Sequence, residues 1–312
     1  MKKLKVTVVG AGNVGGTVAN IISQRGYADV VLIDIDGDIA KGKAIDIQQQ
    51  LAISNSDARI IGGSDYSLTE GSDISVITAG FPRKPGMKRE ELLEANSKVV
   101  KTVTENLIKH SPNTYIIVVT NPVDAMSYLA FKVSGFSRNK VLGMGGVLDT
   151  ARLKYYIKQK LNVSYNSINA IVIGGHGDEM VPVMSSTTVS GKPITSILNK
   201  EEIEEIINKT KNGGAEIVSL LKTGSAYYAP GMAVVRMIES IVFDRKEVLP
   251  SSVFCQGEYG IDGIFFGLPV VLGINGLEKI VEVILSEEEK EMFKRSVQSV
   301  KNTIEVMNKL PI

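Results

Sequence analysis

Residues 5–15 read Lys-Val-Thr-Val-Val-Gly-Ala-Gly-Asn-Val-Gly. A short β-branched run at 5–9 breaks at Gly10, and apolar residues at helical spacing run from Val14 to Arg25. Between them lies the pattern G-x-G-x-x-G, with Gly10, Gly12 and Gly15 in the glycine places and Asn13 and Val14 before the last. Alone, this pattern is weak. Between a strand and a helix it has a mechanism. The first glycine makes a tight turn, the second lets backbone approach a pyrophosphate, and the third lets helix and strand pack closely. The helix N-terminus is then aimed at the phosphates. Asp34 ends the next β-branched run, where a carboxylate can accept from ribose hydroxyls. It would also repel a 2′-phosphate, so NAD is expected rather than NADP. Asp36 reads separately, as a turn or N-cap residue.

Outward from this unit the alternation continues. β-branched runs at 30–34, 74–78, 115–120 and 140–143 are separated by helically spaced segments at 39–51, 90–110 and 123–133. Alternating strand and helix predicts parallel strands with right-handed crossovers, hence an α/β, doubly wound parallel sheet. Gly26 is placed to end the first helix, and Pro112 to stop the one before 115. A weaker strand pair is expected near 59–68. After about residue 145 the pattern changes. A helix at 147–161 leads to a strand at 168–173 and then to Gly- and Ser/Thr-rich loops. Two long helices at 201–222 and 225–243 precede strand-like runs at 248–255 and 264–272. Ser286, with Glu289 three residues on, marks the last helix as a capping box. The expected organisation is a dinucleotide-binding domain over 1–145 and an α+β substrate and catalytic domain over 146–312.

Composition narrows the function. The 312 residues carry 35 Lys+Arg against 34 Asp+Glu, a formal net charge of +1. That balance argues against nucleic acid as a partner, because phosphate binding needs a concentrated basic field. Cys255 is the single cysteine, which excludes an intrachain disulfide and a multi-cysteine metal site and fits a reducing compartment. No metal is expected. The N-terminal Met-Lys-Lys-Leu-Lys imitates a signal peptide, but the apolar run at 6–9 is too short for its hydrophobic region. No stretch approaches the length of a membrane span. The expectation is an unprocessed cytoplasmic chain with no membrane partner.

The chemistry concentrates in four places. The loop at 78–89, Thr-Ala-Gly-Phe-Pro-Arg-Lys-Pro-Gly-Met-Lys-Arg, carries two guanidinium groups, Arg83 and Arg89. It is either a solvated basic loop or a grip for a small, doubly anionic molecule, since guanidinium matches carboxylate with two parallel hydrogen bonds. Only two histidines exist. His110 closes a helix before Ser111-Pro112 and reads as structural. His176 lies in Ile-Gly-Gly-His-Gly-Asp directly after a strand, flanked by glycines that leave its ring open to a ligand. Asp149 and Arg152 stand three apart on a helix and share a face. They form a surface ion pair or, if they meet His176, a site. There Asp149 would fix the imidazole tautomer and favour the protonated ring, and Arg152 would hold a substrate carboxylate. Asn121 follows the fifth strand in Val-Thr-Asn-Pro-Val-Asp, where strand ends border a ligand crevice.

Together these residues resemble the lactate/malate dehydrogenase family, over nearly the whole chain. The motifs are the glycine fingerprint at 10–15, Asp34, Ala-Gly-Phe-Pro-Arg-Lys-Pro-Gly at 79–86 and Thr-Asn-Pro-Val-Asp at 120–124. Leu-Asp-x-x-Arg at 148–152 and Gly-Gly-His-Gly-Asp at 174–178 complete the series in the family's order and spacing. The resemblance implies a Rossmann domain and NAD-dependent oxidation of a 2-hydroxy acid. It implies His176 as proton donor and acceptor, Asp149 as its partner, and Arg152 as the ligand of the carboxylate beside the reacting carbon. Arg89 would ride on a mobile loop and polarise the carbonyl, Asn121 would touch substrate, and Asn96 and the backbone near Val119 would line the cofactor site. Position 83 is the family's discriminator, Gln in lactate and Arg in malate dehydrogenases. Arg83 therefore points to the dicarboxylates malate and oxaloacetate, and to a place in the tricarboxylic acid cycle. Gly-Ser-Ala-Tyr-Tyr-Ala-Pro at 224–230 agrees. The resemblance also implies a homodimer or homotetramer, with the segments near 42–51 and 147–161 in contact. The competing expectations are a lactate or broad 2-hydroxy-acid dehydrogenase, an NAD-dependent glycosidase of the same fold, and a non-catalytic NAD-binding sensor.

Overall fold

The computed structural model describes residues 3–82 and 88–312. Its first half alternates as the sequence predicts. The elements are β1 (Leu4–Val9), α1 (Asn13–Arg25), β2 (Ala28–Ile33), α2 (Gly37–Ser54) and β3 (Ile60–Gly63). After these come β4 (Ile74–Ile77), α3 (Arg89–His110), β5 (Tyr115–Val118), α4 (Val123–Ser134) and β6 (Val141–Met144). The six strands pair in parallel in the order β3-β2-β1-β4-β5-β6. They are apolar almost throughout, as parallel strands covered on both faces must be. The strand order reverses between β1 and β4, and a ligand crevice opens at such a switch point, beyond the strands' C-terminal ends.

The second half comprises α5 (Gly146–Leu161), five two-residue strands, three longer strands and three further α-helices. The short strands are β7 (Ile168–Asn169), β8 (Val172–Ile173), β9 (Val181–Pro182), β10 (Thr188–Val189) and β11 (Lys192–Pro193). Next come α6 (Lys200–Leu221), α7 (Tyr228–Val242), β12 (Glu247–Gln256), β13 (Asp262–Gly273), β14 (Gly276–Ile280) and α8 (Glu287–Asn308). β12 pairs antiparallel with β6, Ser252 opposite Gly143, so β12, β13 and β14 extend the parallel sheet to nine strands. Helices α1, α2 and α7 pack together on one face, and α3, α4 and α8 on the other. The main core runs through both halves, while a smaller one gathers Leu153, Ile157, Val172, Met180 and Ile206. α5 bridges them, with Val147 and Leu148 in the first core and Leu153 and Ile157 in the second. Asp149 lies between these two anchored turns.

Local chemistry sets the ends. Gly26 closes α1 at φ 73°, donating to the carbonyls of Ile22 and Ser23. Asp36 caps α2 through the N–H groups of Asp38 and Ile39, and Ser286 and Glu289 form the expected box on α8. Two expectations fail, and one strand has no counterpart among them. The strand pair near 59–68 is one strand, β3, followed by a 3-10 turn at Tyr66–Thr69 that Asp65 caps. The single strand at 168–173 is two: β7 joins β10, and β8 joins β9 in another sheet. β14 was not expected, although Asn275-Gly276 between two apolar runs is a hairpin signal.

Candidate active site

The glycine turn is tightly built. Gly10 has φ +107°, and a Cβ there would lie 2.6 Å from the Ala79 nitrogen. A Cβ on Gly15 would lie 1.8 Å from the Gly10 carbonyl oxygen. Gly12 differs, because a Cβ there would meet nothing within 4 Å. No side chain caps α1 at Gly12, and its first turn holds no acidic residue. The N–H groups of Asn13 and Val14 therefore begin a helix with its positive dipole end turned to open space. Asp34 accepts from the Ala11 N–H at 2.6 Å and from the Asp36 N–H at 3.1 Å, which holds its carboxylate at the rim of this turn.

In the second half of the chain, His176, Asp149 and Arg152 come together. Asp149, 1% exposed, accepts from His176 Nδ1 at 2.8 Å through one oxygen and lies 3.4 Å from Arg152 Nη1 through the other. With Nδ1 bonded to the carboxylate, Nε2 is the nitrogen left for a ligand. Burial by itself pushes the imidazole down. The charge and hydrogen bond of Asp149, with a smaller contribution from Asp124, outweigh burial and Arg152, and hold His176 above the ordinary histidine value. Arg152 borders a cleft of about 1280 Å³ between α5, α6 and α7. Its Nε is buried and has no hydrogen-bond partner among the described residues. A buried donor without an acceptor costs about 1–3 kcal/mol. A carboxylate reaching Arg152 would supply that acceptor.

Arg89 is the first residue of α3, where the sequence had suggested a loop, and it bonds Asp178 at 3.1 Å. Both side chains are largely exposed, 78% and 80%, on the rim of the His176 turn. Asn121 is exposed beyond β5, its carbonyl accepting from Asn96 at 2.7 Å. Val119 continues β5 with an N–H bond to the Ile77 carbonyl at 2.9 Å. Asn96 is 1% exposed, and its amide bonds backbone, accepting from Phe81 N–H at 2.7 Å and donating to the Phe81 and Asn121 carbonyls. It ties the loop after β4 to the loop after β5, at the strand ends where the crevice opens. Arg83 lies outside the described residues. His110 ends α3, as expected of a structural residue.

Residues 4–143 match the family model described as lactate/malate dehydrogenase, NAD binding domain, and residues 146–310 match the lactate/malate dehydrogenase, alpha/beta C-terminal domain. The chain belongs to the lactate/malate dehydrogenase family. Family membership makes it an NAD-dependent oxidoreductase. The residues present fit that cofactor: open space over Gly12, an uncapped α1 N-terminus, and Asp34 held at the turn. A malate dehydrogenase of Rhodopirellula baltica is 50% identical over 312 residues, covering 99% of each chain. The crystal structure of Cryptosporidium parvum malate dehydrogenase superposes with a TM-score of 0.96 at 43% identity, covering 99% of this chain and 100% of that one. The lactate dehydrogenase of the same organism, complexed with lactic acid and β-nicotinamide adenine dinucleotide, superposes as well. Its TM-score is 0.97 at 40% identity, with both chains fully covered. Within this family, the backbone fold does not separate the two substrates.

Two features of the site had escaped the sequence reading. Gly213 and Gly214 sit inside α6 against Arg152; a Cβ on Gly214 would lie 3.2 Å from its Nη2. Adjacent glycines within a helix were the available signal, since each costs about 1 kcal/mol relative to Ala there. Asp124, buried in the first turn of α4, accepts from the His176 backbone N–H at 3.0 Å. A carboxylate among Val123, Ala125 and Met126 was the signal in that case.

Proposed function

We propose that this chain is a malate dehydrogenase that interconverts (S)-malate and oxaloacetate with His176 as general acid and base. The observation that supports it most is the buried Asp149, which joins His176 and Arg152. NAD, when bound, supplies the hydride acceptor in one direction and the donor in the other. The N–H groups following Gly12 would hold its pyrophosphate, and Asp34 would accept from its ribose hydroxyls. Val119 and Asn121, just beyond β5, would help hold its reactive end, and the Asn121 amide would donate to the substrate oxygen. Arg152 grips the carboxylate beside the reacting carbon, and so fixes that carbon relative to His176. In oxidation, His176 Nε2 takes the hydroxyl proton, and Asp149 stabilises the imidazolium that forms. In reduction the imidazolium returns that proton to the oxygen. Arg89 leaves Asp178 to polarise the carbonyl.

Arg83 sets the choice of substrate. Oxaloacetate brings a second carboxylate for its guanidinium, whereas pyruvate brings a methyl group. A site built for a charged partner rejects the analogue lacking it by roughly 10³-fold or more, because its polar group is left unpaired. Arg83→Gln is expected to lose most oxaloacetate turnover and gain pyruvate turnover; an unchanged substrate ratio would remove Arg83 from this role. His176→Asn is expected to bind NADH normally and to lose about 100-fold or more in turnover. Full activity in that variant would refute the acid/base assignment.

The same reading divides the chain at 145/146 into cofactor and substrate domains, and makes it a cytoplasmic homodimer or homotetramer. Exposed Ile45 and Ile53 on α2 and Tyr155 on α5 support the assembly. Among the described residues, no helix is long and apolar enough to cross a membrane, and no group of His, Cys, Asp and Glu is arranged to hold a metal.

A further inference from the structure

The turn that carries His176 is held by three successive backbone N–H groups, each bound to a different element. Gly174 donates to the Gly267 carbonyl on β13 at 2.8 Å, and Gly175 to Ser296 Oγ on α8 at 2.9 Å. His176 donates to Asp124 Oδ2 on α4 at 3.0 Å. Ser252 on β12 donates its hydroxyl to the other Asp124 oxygen at 2.6 Å. Of the three anchors only Asp124 can be charged, and it is buried at 6% exposure. A neutral carbonyl or hydroxyl suffices for the neighbouring N–H groups, as Gly267 and Ser296 demonstrate. Burial holds the Asp124 carboxyl above the ordinary aspartate value, and the hydrogen bonds from Ser252 and His176 together with the charge of His176 act against that rise. A buried carboxylate is costly unless its charge is used, and the group it faces becomes a cation during the reaction.

We propose that Asp124 is a second carboxylate partner of His176, a positioning residue that pins the histidine turn through its backbone and stabilises the imidazolium through its charge. The proposal rests on the reading of His176 as the acid/base. The other charged groups facing His176 are Asp149 and Arg152, both on α5; Asp178 in the same turn is paired with Arg89 of α3. β12, β13 and α8 face the turn with the neutral Ser252, Gly267 and Ser296.

The chain's two histidines make the test direct. In a His110→Gln background, His176 is the single imidazole, and NMR titration without substrate or cofactor reads its midpoint. Asp124→Asn keeps an oxygen for the His176 N–H and an amide donor for Ser252, but removes the charge. The expected result is a midpoint lowered by about half a pH unit or more. Oxaloacetate turnover should fall several-fold while NADH affinity stays within about twofold. An unmoved midpoint, or turnover and NADH affinity lost together, would make Asp124 a structural residue only and overturn the proposal. If Asp124→Asn does not fold, Ser252→Ala carries the test. Loss of the hydroxyl disfavours the ionised carboxylate, so the midpoint must fall there too, and an unmoved one overturns the proposal. An active His176→Asn variant would instead refute the acid/base reading, a result independent of this titration.

Discussion

At the scale of single residues, the site works through charges placed where water is scarce. Asp149 lies between a cation it helps create, His176, and a permanent one, Arg152. Reduction of oxaloacetate needs the imidazolium, so its rate is full below the His176 pKa and falls as pH rises through it. Because that pKa is raised, the fall in kcat/KM is expected above the ordinary histidine value of about 6.5. Malate oxidation, which needs the neutral ring, should rise over the same range. Stability carries the same sign: the raised pKa contributes stability that is fully present below the unfolded value and is lost as pH rises through the folded one. A pH profile for reduction falling from a midpoint below 6.5 would contradict this electrostatic account. His176, Asp149 and Arg152 were legible in the sequence because their types and spacing were unusual and histidines were scarce. Asp124 was not, because its partners His176 and Ser252 are 52 and 128 residues away and only the fold brings them together. The bonds of Asn96 to Phe81 and Asn121 were not legible either, since a polar residue on a helix face gives no sign of which loops it ties.

At the scale of elements, glycines record what must pass close by. Gly12→Ala places its Cβ in open space at an ordinary φ of −68°, so folding should be unaffected. The methyl group would instead occupy the approach to the pyrophosphate, weakening NADH binding by roughly tenfold or more. Gly15→Ala drives a Cβ into the Gly10 carbonyl and should lower stability by about 1–3 kcal/mol or more. Melting curves and NADH titrations of the two variants separate these effects; equal loss of stability in both would refute a cofactor role for the space over Gly12. In α6, Gly214→Ala should gain up to about 1 kcal/mol in helix propensity while crowding the Arg152 guanidinium. A raised KM for oxaloacetate with unchanged NADH affinity is expected, and an unchanged KM would mean that Gly214 does not set the room for Arg152. The long elements were legible because their apolar periods are strong and their caps, Gly26, Asp36 and Ser286, are local. The two-residue strands were not, because Ile168–Asn169 and Val172–Ile173 take their partners from different segments and nothing within 168–173 marks the change of sheet.

At the scale of the molecule, one nine-stranded sheet carries the glycine turn after β1, and the His176 turn, which follows β8 of a separate two-stranded sheet, is bonded to it through the Gly267 carbonyl on β13. The same frame superposes almost equally on a malate and a lactate dehydrogenase, with TM-scores of 0.96 and 0.97. Substrate choice must then come from side chains, and the proposed reading assigns it to Arg83. The most direct test follows the near-ultraviolet absorbance of NADH with purified protein, oxaloacetate and pyruvate in parallel. The account predicts rapid loss of NADH with oxaloacetate and, with pyruvate, a kcat/KM lower by roughly 10³-fold or more. A preference for pyruvate would leave the fold and the His176 site standing but contradict the central claim that this chain is built for a dicarboxylate.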